Sequence, residues 1–163
     1  MSHVSTLIEP LKHLIEKLEV SGLTYAIGGA IALGYWGVPR STLDIDMTLW
    51  FPTGKDHDAF ETLFKLGVTG ASLDRVVKDS VENGVVYLRF EGVRLDVFSP
   101  SIPFYDEALA LRTRVSLPEV GETWMLSAET LAVFKLLFFR AKDLGDLERL
   151  RWLQNLEASL SLP

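Results

Sequence analysis

The chain has no cysteine, so disulfides and thiolate zinc sites are excluded and the redox compartment stays open. It also has no long uninterrupted apolar run. The oiliest stretch, Leu131 to Phe139, is broken by Lys135 and falls short of the ~20 residues that span a bilayer. The first residues lack the basic-then-apolar profile of a secretory leader. A soluble cytoplasmic protein without membrane contact is the expectation. Positive charge is also in short supply: 16 Lys and Arg against 22 Asp and Glu give a formal net charge of −6. That disfavours sequence-independent nucleic-acid binding, which depends on neutralising phosphates. With 163 residues and 48% hydrophobic composition, the chain suits one domain with a substantial core.

What the sequence does have is a pair of aspartates one residue apart, in Arg40-Ser41-Thr42-Leu43-Asp44-Ile45-Asp46-Met47. The run Asp44 to Phe51 reads as a strand, and side chains two apart on a strand face the same way. Both carboxylates then share one side while Ile45, Met47 and Leu49 share the other. Carboxylates this close repel unless something neutralises them, and a divalent cation held by oxygen ligands does so economically.

Helical apolar spacing predicts an amphipathic helix over Ser5–Val20, stopped at Ser21-Gly22. Thr24–Ile27 reads as a strand, and a Gly28-Gly29 turn leads into a helix over Ala30–Trp36. Asp56 is expected to cap a helix running to about Leu66. Another helix is expected around Ser72–Val81. Val85–Phe90 and Val93–Phe98 flank Glu91-Gly92 and read as a hairpin. Tyr105–Arg112 looks helical, and Val115–Leu117 and Glu122–Met125 are expected as short edge strands. Ser127 caps an apolar helix, with Glu129 in its positive first turn. A last helix continues to about Leu156. The order is mixed α/β with helices at both ends.

The hairpin supplies a third acid. Arg94, Asp96 and Phe98 share one face of the second strand, and a carboxylate in so apolar a strand is costly unless paired or metal-bound. If this strand lies beside the Asp44 strand, three carboxylates meet and can hold two Mg²⁺ ions. The rival is a salt bridge from Asp96 to Arg94 or Arg89. A Glu91-Gly92 turn sets Arg89 opposite Arg94 and Tyr87 opposite Asp96. Facing arginines repel, so one of them is expected to touch a nucleotide or acceptor phosphate. The glycine pair, between strand and helix, gathers free backbone N–H groups at a positive helix end. Missing side chains let a phosphate approach. The dinucleotide and Walker spacings are both absent.

Tyr25-Ala26-Ile27-Gly28-Gly29-Ala30-Ile31-Ala32 through Arg40-Ser41-Thr42-Leu43-Asp44-Ile45-Asp46 resembles the polymerase-β-like nucleotidyltransferases. The Gly-Gly…Arg-x-Thr-x-Asp-x-Asp pattern is closest to their abortive-infection and toxin-type branch. Leu95-Asp96-Val97 looks like the third-carboxylate strand. Ser127 through Lys135, Arg140, Lys142-Asp143 and Asp146 looks like the C-terminal helical motif. The resemblance implies one α/β (α+β) domain over 1–163. It would have a small mixed sheet flanked by helices, a core near 22–100 and a C-terminal helical part near 127–158. It implies transfer of a nucleoside monophosphate from NTP to an acceptor, with release of pyrophosphate. Asp44, Asp46 and Asp96 would be catalytic and bind two Mg²⁺, with Mn²⁺ the alternative. Gly28, Gly29, Arg40, Thr42, Lys135, Lys142 and Asp143 would serve the nucleotide. Many relatives carry Gly-Ser where this chain has Gly-Gly, so its phosphate contact would be backbone only.

The acceptor stays open between a tRNA end, a protein and a small molecule, and a homodimer or an antitoxin would be the protein partner. Two other readings compete: a nucleotide-binding module without turnover, and an Asp-x-Asp glycosyltransferase. Blander roles compete residue by residue. Lys135 could snorkel outward, and Lys142, Asp143 and Asp146 could form a solvated face. His57 reads as part of a helix start. The four tryptophans read as packing residues, although Trp50 shares a face with the aspartates and is expected to border their cleft.

Overall fold

The computed structural model describes residues 3–37, 39, 41–137 and 150. The last predicted helix lies outside them. The described elements, in chain order, are α1 His3–Ser21, β1 Thr24–Ile27, α2 Gly29–Trp36, β2 Asp44–Trp50, α3 Asp56–Lys65, α4 Leu73–Asn83, β3 Val85–Phe90, β4 Val93–Phe98, α5 Phe104–Leu111, β5 Thr113–Leu117, β6 Gly121–Met125 and α6 Ala128–Leu137. The architecture is α/β, with one mixed sheet in the order β3-β4-β2-β1-β6-β5.

Period-2 alternation decides which face of each strand is wet. Ile45, Met47 and Leu49 of β2 bury on the same side as Leu95 and Val97 of β4 and Val86 and Leu88 of β3. Leu11, Leu14 and Leu18 of α1, Phe60 and Leu63 of α3 and Val76 of α4 cover that side. Each such side chain, fully buried, contributes roughly 1.5–3 kcal/mol over exposure. A second cluster covers part of the opposite side, with Ala26, Leu33, Trp50, Tyr105, Met125, Leu126 and Leu131. Helices α2, α5 and α6 supply it, and the faces of β2, β4 and β3 that carry polar groups are left partly open.

Two local expectations are corrected. Lys55, not Asp56, is the N-cap of α3. Asp56 begins the helix and accepts a 2.7 Å hydrogen bond from Ser80 Oγ, which ties α3 to α4. Strand β6 is not an edge, because it pairs in parallel with β1 and antiparallel with β5. Its position rests on β1, a partner about a hundred residues distant in sequence, and Leu126 N donates to Ile27 O at 2.9 Å just beyond the pairing.

Candidate active site

Strands β2 and β4 run parallel, with Asp46 the register partner of Asp96 and Asp44 that of Arg94. The hairpin then sets Tyr87 opposite Asp96 and Arg89 opposite Arg94, as its two-residue turn requires. The three carboxylates line one cleft of about 670 Å³, which also takes in Gly28, Gly29, Thr42, Tyr87, Arg94 and Lys135.

Asp46 sits at the centre. Burial, then the charges of Asp96 and Asp44, push its carboxyl up to about 6, with Lys135 pulling the other way. A hydrogen bond to Asp96 acts in the same upward direction. A shared proton is the ordinary answer to two crowded carboxylates without a counter-charge. Asp96 is only 13% exposed and is gripped by Arg94, whose Nε donates to Oδ1 at 2.8 Å and Nη2 to Oδ2 at 3.2 Å. Arg89 turns away and donates through Nη1 to Gly92 O at 3.1 Å, which relieves the repulsion between the two arginines.

The glycine turn packs directly against this centre. Gly28 N donates to Asp46 O at 2.9 Å, and Gly28 stands as the N-cap of α2. Gly29 has φ +57, and a Cβ there would fall 1.8 Å from Asp46 Oδ2. Only glycine allows the helix to begin on top of the carboxylate. Thr42 lies at the mouth, where its hydroxyl bonds to the backbone of Asp44, accepting from N at 3.3 Å and donating to O at 3.2 Å. It shapes the entry to β2 as well as lining the cleft. Ser127 caps α6 as expected, accepting from Thr130 N at 3.1 Å. That helix carries Phe134 and Lys135 to the cleft wall. Arg40, Lys142 and Asp143, and with them Arg140 and Asp146, lie outside the described residues.

The expectation that Trp50 borders the cleft is corrected. Trp50 is buried, and its Nε1 donates to Tyr105 O at 2.8 Å. It lines a separate depression with Pro52, Pro100 and Ile102. The cleft wall it was expected to form is built instead by Phe98, Tyr105 and Phe134. Period-2 spacing places Phe98 beside Asp96, whereas nothing in the sequence links Tyr105 or Phe134 to the acids.

The side chains fit a hard divalent cation in chemistry: three carboxylates on adjacent strands, one with raised proton affinity. Their present spacing is wider than in a second acidic group. Among the described residues, His57, Asp58 and Glu61 have ligand atoms all within 4.8 Å of one another, but all three are exposed on α3. They read as solvated helix-start residues and line no part of the cleft. In the cleft, Asp96 is held by Arg94 through both of its oxygens.

The sequence matches no protein-family model and no curated protein. The fold does have solved counterparts. An antigenic nucleotidyltransferase-like protein from Paracoccidioides brasiliensis aligns with a TM-score of 0.58 at 22% identity, over 91% of this chain and 77% of its own. ANT(2'')-Ia, solved with adenylyl-2''-tobramycin, aligns with a TM-score of 0.56 at 17% identity, over 94% of this chain and 96% of its own. The lincosamide antibiotic adenylyltransferase LnuA, lincomycin-bound, aligns with a TM-score of 0.55 at 15% identity, over 89% of this chain and 96% of its own.

Proposed function

We propose that this chain, which has the nucleotidyltransferase fold, transfers a nucleoside monophosphate from an NTP to an acceptor hydroxyl, using divalent cations. The observation that supports this most is the register pairing of Asp46 with Asp96 directly beneath the glycine turn. Asp44, Asp46 and Asp96 would hold the cations, Mg²⁺ being the expected ion. Bound there, such ions neutralise charge on the triphosphate and align an in-line displacement.

The chain's own groups have separable parts in this reading. The Gly28-Gly29 turn, with Gly28 N already bonded to Asp46 O, offers the first-turn N–H groups and the positive end of α2 to the outer phosphates. Lys135, whose charge already acts on Asp46, adds a point charge at the opposite wall. The acceptor oxygen forms a bond to the α-phosphorus, the bond to the β-phosphate oxygen breaks, and pyrophosphate leaves. Asp96, at the rim of the acid group, takes up the hydroxyl proton. Thr42 holds the start of β2 in place, and Arg40, Lys142 and Asp143 keep the nucleotide-binding roles that the sequence motifs give them. The toxin-type branch, with an antitoxin as partner, rests on the motif from Gly28 to Asp46 alone.

Incubation with [α-³²P]NTP, Mg²⁺ and cell extract tests the proposal. Labelled acceptor together with pyrophosphate is the expected result. Release of a nucleoside diphosphate would point to a glycosyltransferase. One observation favours a binding module without turnover, namely the Arg94 grip on Asp96. NTP·Mg²⁺ binding with no label transfer to any acceptor would decide for that second reading.

A further inference from the structure

The chemistry of the acceptor can be read one step further, and this step rests on the nucleotidyl-transfer reading above. An in-line displacement brings the attacking oxygen in opposite the departing pyrophosphate. The glycine turn follows β1, on one flank of β2, while β4 and β3 lie on the other flank. A triphosphate seated on Gly28 and Gly29 therefore departs toward β1, and the acceptor enters over β4 and β3.

There it meets Tyr87 and Arg94. The Tyr87 ring is 60% exposed and is the register partner of Asp96. The Arg94 guanidinium lies 4.8 Å from the centre of that ring and is 49% exposed. Arg89, on the same face and opposite Arg94, carries positive charge farther along the edge strand. Two facing arginines are tolerated here because Asp96 pairs with Arg94 and Arg89 turns to Gly92 O. A cation that drew Asp96 inward would end that pairing and leave Arg94 only the charge of Asp44, its register partner on β2. Arg94, fixed against the Tyr87 ring on the acceptor's path, would then be a planar bidentate donor without that carboxylate.

We propose that the acceptor itself supplies the missing anion: it is a hydroxyl compound that carries a phosphate group. The phosphate takes the place of Asp96 on the Arg94 fork, and the body of the acceptor lies along Tyr87. The phosphate could belong to a small phosphorylated molecule or to the terminal nucleotide of a polynucleotide.

Titration calorimetry on the chain saturated with a non-hydrolysable NTP analogue and Mg²⁺ tests this. The probes are CMP, cytidine, the trinucleotide CpCpC and tobramycin. A phosphate-bearing probe is expected to bind at least about tenfold tighter than cytidine, the scale of one charge-assisted contact. Arg94→Gln should erase that difference and leave cytidine binding unchanged. A purely structural role for Arg94 would instead weaken all probes alike. Tighter binding of CpCpC than of CMP assigns the phosphate to a polynucleotide, and the reverse assigns it to a small molecule. Equal binding of CMP and cytidine, a preference that survives in Arg94→Gln, a preference for tobramycin, or no binding of either phosphorylated probe each overturns the proposal. Failure to bind the NTP analogue at all is a separate result, and it removes the nucleotidyl-transfer reading instead.

Discussion

Gly29 and Asp46 occupy space that a single β-carbon would fill: an atom added at Gly29 would lie 1.8 Å from Asp46 Oδ2. The contact joins the turn after β1 to the middle of β2. Helix α2 is thereby placed so that its first N–H groups and the Asp46 carboxylate share one wall of the cleft.

Gly29→Ala should therefore damage both stability and nucleotide binding. The left-handed backbone alone costs about 1–2 kcal/mol with a side chain, and the clash adds to that. Gly54→Ala is the control, because Gly54 also has positive φ, at +81, but nothing within 4 Å of its added carbon. Thermal melts should show a larger loss for Gly29→Ala than for Gly54→Ala. NTP affinity should fall at least about tenfold in the first and stay unchanged in the second. Equal losses would mean that the close approach to Asp46 carries no weight.

The raised Asp46 carboxyl makes a pH prediction. Burial, then Asp96 and Asp44, move it from its usual 3.8 to about 6. The folded chain thus holds this proton more tightly than the unfolded chain does. The resulting stabilisation is present below pH ~4 and is lost as pH rises through ~6, up to ~3 kcal/mol in all. Asp46→Asn removes the titration, so in EDTA its urea midpoint should exceed that of the parent at pH 7.5 and approach it at pH 4. Mg²⁺ should raise the parent's midpoint above pH 6 and leave that of Asp46→Asn almost unmoved. Parallel pH profiles for the two proteins would contradict this account of the site.

Replacing the outer acids should separate chemistry from folding. Asp96→Asn keeps the size of the side chain and a hydrogen-bonding acceptor for Arg94. Label transfer should drop about 100-fold or more, the scale of a lost proton acceptor, while circular dichroism stays native. Asp44→Asn should weaken metal dependence at least as severely. Full turnover in either variant would remove that residue from the catalytic group.

Ser127→Ala tests how the far wall is held. The hydroxyl accepts from Thr130 N at 3.1 Å and donates to Thr130 Oγ1 at 2.9 Å, all in a buried setting. Loss of a helix N-cap costs ~1 kcal/mol. Amide exchange should quicken in the first turn of α6, and NTP binding should weaken through Phe134 and Lys135. Unchanged exchange there would show that tertiary packing alone fixes α6.

Much of this arrangement was legible one segment at a time. The bounds of β1, β3 and β4 follow from alternation and turn chemistry, and the facing of Tyr87 with Asp96 follows from a two-residue turn. Asp44 and Asp46 had to share a face once β2 was a strand. These facts are set within a few residues by backbone geometry, so the sequence by itself determined them. The parallel pairing of β2 with β4, which makes Asp46 and Asp96 neighbours, joins strands with two helices and a strand between them. Trp50 turning under α5 and β6 lying inside the sheet likewise depend on what arrives from elsewhere in the chain, whereas the Arg94–Asp96 pair, two residues apart on one strand face, was among the local readings. Local pattern says which side of a strand is polar. Only packing of distant elements decides which polar groups meet, because their distance in space is fixed by the core between them and not by their spacing in the chain.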